Sequence, residues 1–169
     1  LFLKETTTKK SLNLLKYLIV MSYTKLIYHI VFRTKHSIKA INKDNERDLY
    51  AYIYGIATNY DAYVYRIGGM PDHIHILLDL PPKTALSDFM QDVKKSSSKW
   101  IKESKKFPLF EGWGEGYAAF SYSQKEVNSI IKYIKNQKEH HCVITFAEEY
   151  RNYLMENGVE IDEKYFLKD

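Results

Sequence analysis

Two histidines one residue apart, His73 and His75, sit in the run Gly69-Met70-Pro71-Asp72-His73-Ile74-His75-Ile76-Leu77-Leu78-Asp79. The run is apolar enough to read as a buried β-strand. Strand side chains alternate faces, so His73 and His75 project from one face while Ile74 and Ile76 enter the other. Two imidazoles on so rigid a support form a platform for a metal ion or a phosphate. Such a pair can also satisfy itself, the backbone or water. The Gly68-Gly69 and Pro71-Asp72 punctuation before it, and the apolar exit through Leu77, Leu78 and Leu80, favour an occupied platform, since an apolar strand has little use for two unengaged polar rings.

A second pair lies further along. Tyr133 and Gln137 are four apart in a segment with helical periodicity, which sets them on one face about 5–6 Å apart at Cβ. A phenol and an amide are thereby presented together. With fifteen tyrosines in the chain, composition does not single out Tyr133, and packing or base stacking accounts for most tyrosines. His140 and His141 follow on the same segment, as candidates for a general base or for packing and phosphate contact.

These side chains need elements to hold them. Residues 24–33, rich in β-branched and aromatic residues, predict a first strand. Asn42 to Glu46 supply helix-start chemistry, and Leu49, Tyr52, Ile53, Ile56 and Ala57 recur at helical spacing to about Asn59. Residues 61–67 predict a second strand that turns through Gly68-Gly69-Met70-Pro71 into the histidine strand, which ends at Pro81-Pro82. A second helix from Leu86-Ser87-Asp88 to about Phe107-Pro108 buries Phe89, Val93, Trp100 and Ile101 and turns its lysines outward. Tyr117 to Tyr122 predict the fourth strand. The β-α-β-β-α-β order implies an α+β, ferredoxin-like antiparallel sheet with both helices on one face and the other face free to hold a site. Ser123-Gln124-Lys125-Glu126 reads as a capping box opening a helix with the stripe Val127, Ile130, Ile131 and Ile134. A last helix, Phe146 to Met155, precedes a tail.

At 169 residues the chain fits one domain of ordinary size. Leu1 opens the sequence, whereas Met21 begins a plausible start, so residues 1–20 are expected to be an extension, disordered or a frayed helix. The patch Leu12 to Val20, broken by Lys16, makes a poor signal peptide and is too short to span a bilayer. Residues 21–157 are expected to form the domain, and 158–169 a tail. Cys142 is the only cysteine, which excludes a disulfide framework or a four-thiolate zinc site and points to the cytoplasm. The net charge of +4 is unevenly placed. Asp92 to Lys106 holds six lysines against two acids, and Lys132, Lys135 and Lys138 make a second group. Such stripes are the footprint of a phosphate-backbone partner, and equally of a solvated helix face.

His73-Ile74-His75, taken with Tyr133-Ile134-Lys135-Asn136-Gln137-Lys138-Glu139-His140-His141, resembles the single-tyrosine HUH transposases of bacterial and archaeal insertion sequences, in whose motif U is a bulky apolar residue. The likeness runs from Met21 to about Arg151. It includes the Gly-Gly-Met-Pro-Asp lead-in, the Ser-Ser-Lys-Trp helix segment and the Gly-Tyr-x-x-Phe-Ser strand. The resemblance implies a cytoplasmic transposase that recognises hairpins near the element's ends and cuts and rejoins single-stranded DNA through a 5′-phosphotyrosine. It makes Tyr133 the nucleophile, and His73, His75 and Gln137 ligands of Mg2+ or Mn2+. It also implies a homodimer, often with the tyrosine helix of one protomer completing its partner's site. Imidazole-rich sites intrinsically favour zinc, nickel or copper; the implied magnesium or manganese needs phosphate oxygens and water in the open positions. Lys94, Lys95 and Lys99 are the expected hairpin-backbone contacts. Trp100 and Trp113 are candidates for base stacking, with core packing the better account of Trp100.

Two other enzyme classes fit less well. A histidine-triad hydrolase would need a third histidine where Leu77 stands, and the phosphodiesterases with two His-x-Ser/Thr motifs have neither motif here. A binding-only derivative, gripping structured single strands without cutting, is the alternative from a different class, and the intact His73, His75, Tyr133 and Gln137 argue against it.

Overall fold

Strand β1, Ile27–Arg33, and the histidine strand β3, His73–Asp79, lie side by side at the centre of a four-stranded sheet. The computed structural model describes residues 23–137 and 144–169; the expected 1–20 extension, His140 and His141 lie outside them. With β2 (Tyr63–Met70) and β4 (Ala118–Tyr122), the order is β2-β3-β1-β4, and each neighbouring pair is antiparallel. The architecture is the expected α+β one.

Both central strands are buried on their two faces, as their unbroken apolar runs demand. Ile30 and Phe32 of β1 and Ile74, Ile76 and Leu78 of β3 meet helices α1 (Glu46–Asn59) and α2 (Leu86–Ser104) in the main core. The predicted helix stripes supply that core: Leu49, Ile53, Ile56 and Ala57 from α1, Phe89, Val93 and Ile101 from α2. Trp100 stacks on Tyr52 at 4.9 Å, and Trp113 packs edge-on against Phe32 while donating its indole N–H to Ser97 Oγ. Both tryptophans are packing residues in this arrangement.

The opposite face is not free, contrary to expectation. Helices α3 (Val127–Lys135) and α4 (Phe146–Glu156) cover it, because their own apolar stripes require burial. Val127, Ile130 and Ile134 of α3 close on Ile27 and Leu77, and Phe146 and Tyr153 of α4 close on Val31 and Ala118. Within the tail, the Arg33 guanidinium donates to Asp169 Oδ2 at 2.8 Å and to the Leu167 carbonyl at 2.7 Å, so residues at the end of the chain dock beside β1.

Gly68 and Gly69 belong to β2 rather than to the turn that the sequence predicts; only Pro71 and Asp72 make the connection to β3. A Cβ at Gly68 would stand 2.8 Å from Ile134 Cγ2, and one at Gly69 would stand 2.2 Å from the His73 carbonyl oxygen. The glycines therefore serve close approach. The Ser123–Glu126 capping box is half realised: Glu126 accepts from the Ser123 N–H at 2.8 Å, but Ser123 Oγ donates to the same carboxylate instead of accepting a backbone amide. The complete box sits at α4, where Thr145 and Glu148 satisfy one another's backbone N–H groups.

Candidate active site

Register places the histidines. His75 pairs with Val31 and His73 with Arg33, so all four project from the face covered by α3 and α4, and His29, two residues before Val31, joins them. His73 and His75 are 0 % and 1 % exposed. Each has one ring nitrogen engaged by a neighbour: His73 Nδ1–H donates to Asp72 Oδ1 at 2.7 Å, and His75 Nδ1 is hydrogen-bonded to His29 Nε2 at 3.0 Å. These contacts fix the rings so that both Nε2 atoms meet the same carboxylate. Outer contacts of this kind set tautomer and orientation in metal-ligating histidines.

His29 is itself held. Its ring stacks on His75 at 5.2 Å, Tyr153 packs edge-on at 5.0 Å, and the Tyr153 hydroxyl donates to the His29 carbonyl at 2.7 Å. Burial lowers its pKa to about 4, leaving the ring neutral. A neutral His29 can share one proton with His75 without charge repulsion.

Helix α3 carries Tyr133, and Gln137 follows two residues past its last residue, Lys135. Both reach one atom, Glu149 Oε1 on α4: the Tyr133 hydroxyl donates to it, as does Gln137 Nε2 at 2.7 Å. The Tyr133 ring packs edge-on against His75, with centroids 5.8 Å apart. Glu149 also faces the histidines, with Oε2 3.4 Å from His73 Nε2 and Oε1 3.7 Å from His75 Nε2. Among the described residues, Gln137 Oε1 is buried with no hydrogen-bond partner. Burial, and then the Glu149 carboxylate, push the Tyr133 phenol pKa above its ordinary value. A cavity of about 340 Å³ opens beside this cluster, lined by His29, Tyr122, Tyr133, Glu149 and Tyr153 among others.

The fold thus gathers four side chains singled out in the sequence, His73, His75, Tyr133 and Gln137, although sixty residues separate the two pairs. A neutral phenol beside buried imidazoles, an amide oxygen and a carboxylate can hold a divalent cation and present a nucleophile to it. Asp72, His29 and Glu149 were not singled out. Their signals were present: Asp72 precedes His73 directly, His29 is a polar residue in the inward register of an apolar strand, and Glu149 interrupts the apolar stripe Phe146–Tyr153.

The lysines lie elsewhere. Helix α2 packs on the other side of the sheet, and its lysines do not approach the histidines. Lys94 is not turned outward as predicted: it is half-buried and donates to the Gly114 and Gly116 carbonyls at 2.7 and 3.0 Å, and its burial lowers its pKa. Lys95 and Lys99 are exposed and, with Lys35 and Lys102, line an open groove of about 920 Å³ between α2 and the Glu111–Glu115 loop. Among the described residues, no helix is long and apolar enough to cross a membrane.

Residues 22–137 match the family model described as "Transposase IS200 like". The transposase for insertion sequence element IS200 of Salmonella typhimurium is 31 % identical over 117 residues, 66 % of this chain and 76 % of that protein. The ISDra2 transposase TnpA of Deinococcus radiodurans is 27 % identical over 120 residues, 68 % of this chain and 86 % of that one. Among solved structures, a protein of Deinococcus radiodurans R1 assigned as a transposase superimposes with a TM-score of 0.55 at 26 % identity, covering 69 % of this chain and 93 % of that one. A REP-associated tyrosine transposase bound to a REP hairpin shares the fold, with a TM-score of 0.56 at 14 % identity over 73 % of each chain.

Proposed function

Because the chain belongs to the IS200-like transposase family, we propose that it cleaves and rejoins single-stranded DNA at the ends of an insertion sequence, with Tyr133 as nucleophile and a divalent ion at His73, His75 and Gln137. The observation that carries this reading is the convergence of Tyr133, Gln137 and both histidines on one buried point between the sheet and its covering helices. The donor set fits a divalent ion. Two imidazoles are aligned by Asp72 and His29, and the buried Gln137 Oε1 has lone pairs to offer. Mg2+ or Mn2+ is the ion this reading assigns.

When bound, such an ion polarises the scissile phosphate and stabilises charge on its oxygens and on the departing 3′ oxygen. The rest is the work of this chain. Tyr133 gives up its hydroxyl proton as its oxygen attacks phosphorus, the bond to the 3′ oxygen breaks, that oxygen takes up a proton and leaves as a 3′ hydroxyl, and a 5′-phosphotyrosine forms. A later 3′ hydroxyl attacks the same phosphorus and returns the phenol. A phenol leaves more readily than a sugar hydroxyl, so the link retains its bond energy for joining, and no nucleoside triphosphate is needed.

The DNA partner of this reading is a single strand with hairpin ends. The hairpin in the structural neighbour supports it, and the groove of Lys95 and Lys99 offers a phosphate-binding surface. Lys94 contributes by holding the groove's wall. The chain acts as a homodimer in the cytoplasm. The test is to incubate the protein and its Tyr133→Phe variant with 3′-labelled single strands from the DNA flanking the gene, with Mg2+ or Mn2+. A metal-dependent adduct that survives denaturing electrophoresis and is lost in Tyr133→Phe and His73→Ala is expected. Tight hairpin binding with no adduct on either strand would sink the enzymatic reading in favour of a binding-only protein.

A further inference from the structure

The surface of α4 that covers the histidines carries a carboxylate that the metal reading above does not use. Glu149 falls between Phe146 and Tyr153 in the stripe packed on the sheet, and only 6 % of it is exposed. Its separations from the two imidazoles, 3.4 and 3.7 Å, exceed good hydrogen-bond lengths. They approach the spacing of donors around a shared ion: two ligands about 2.1 Å from one cation stand about 3.0 Å apart at an octahedral angle and about 3.4 Å apart at a tetrahedral one, so a small inward movement of the carboxylate would close the shell. Ligand atoms of His73, His75 and Glu149 all lie within 4.8 Å of one another. An ionised carboxylate is costly to bury, and a divalent cation in its midst offsets that cost.

We propose that Glu149 is a protein ligand of the divalent ion held by His73 and His75. The proposal rests on the metal-dependent reading and adds to it a residue from a different helix. Its chemical consequence is selectivity. Two imidazoles alone favour zinc, nickel or copper, whereas an anionic oxygen donor shifts the site toward manganese and magnesium. Its geometric consequence concerns the nucleophile: the Tyr133 hydroxyl donates to this carboxylate, so a ligand of the ion also positions the attacking oxygen. Gln137 Nε2, bonded to the same Oε1, holds the carboxylate from the other side.

The test is Mn2+ binding to the full chain, measured by calorimetry and by Mn2+ electron paramagnetic resonance, for the wild type and for Glu149→Gln, Glu149→Asp, His73→Ala and Tyr133→Phe. Glu149→Gln and His73→Ala should each weaken Mn2+ binding at least tenfold, Glu149→Asp less, and Tyr133→Phe no more than twofold. Glu149→Gln should also lower the ratio of Mn2+ to Zn2+ affinity. If Glu149→Gln does not fold, Glu149→Asp carries the test through that ratio. Wild-type Mn2+ affinity in Glu149→Gln, with His73→Ala defective, overturns the proposal, leaves the metal reading intact and confines Glu149 to Tyr133. A wild-type chain that binds no Mn2+ overturns both.

Discussion

His73 and His75 turn the same nitrogen toward Glu149 because each has its other nitrogen engaged, one by a carboxylate and one by a second imidazole. The two supports are not equivalent. Asp72 accepts the His73 Nδ1–H on a carboxylate oxygen, while His29 is a neutral ring buried beneath Tyr153. Replacing Asp72 with Asn should therefore weaken Mn2+ binding about 10–100-fold with little change in thermal stability, as calorimetry of metal binding beside thermal melts will determine. An unchanged affinity would show that the ring needs no anion. Alternation along β3 made the histidine pair legible in the sequence, whereas Tyr133 and Gln137 were singled out by the family resemblance, their four-residue spacing giving only a shared helix face. Glu149 was legible only as a polar break in the α4 stripe; its partners were not, because they come from β3 and α3, and no spacing within α4 encodes a contact across elements.

Helix α3 sits on the sheet where β2 has no side chain. Gly68 is opposite His75 in the register, and Ile134 occupies the space that a Cβ there would need. Gly68→Val should push α3 outward, costing about 1–3 kcal/mol of stability and slowing adduct formation by more than the stability loss explains. Thermal melts and single-turnover adduct assays on the folded variant read the two effects separately. A variant that cuts at the wild-type rate would show that the seat of α3 does not set the nucleophile. In the sequence these glycines signalled a turn, since Gly-Gly before Met-Pro has the composition of a loop. Their role in a close strand–helix approach depends on a helix that begins nearly sixty residues later. The main core, by contrast, was readable from period alone: the α1 and α2 stripes pack as their spacing predicts. The same arithmetic applied to α3 and α4 already implied that the histidine face could not stay bare.

Across the whole molecule, the groove's Lys95, Lys99 and Lys102 belong to helix α2, which packs on the sheet face opposite the histidine cluster, and Glu111, Glu115 and Asp169 also line the groove. The composition revealed a lysine-rich helix but not which lysines the loop would claim, and Lys94 is spent on the Gly114 and Gly116 carbonyls. Hairpin affinity should accordingly depend on Lys95 and Lys99. Replacing both with Glu should weaken hairpin binding and reduce the slope of log affinity against log salt by about 1–2, while Mn2+ affinity stays at the wild-type value. A salt slope unchanged in the double variant would place the hairpin elsewhere. One further consequence follows from the cover over the histidines. A DNA strand cannot touch His73 while Phe146 and Tyr153 are seated, and unseating each large side chain forfeits about 1.5–3 kcal/mol. A duplex stem lying in the outer groove incurs no such loss. On the proposed DNA reading, gripping the hairpin and admitting the scissile strand are therefore separate steps with different affinities, and a bare stem should bind this closed form with less loss than a complete end does.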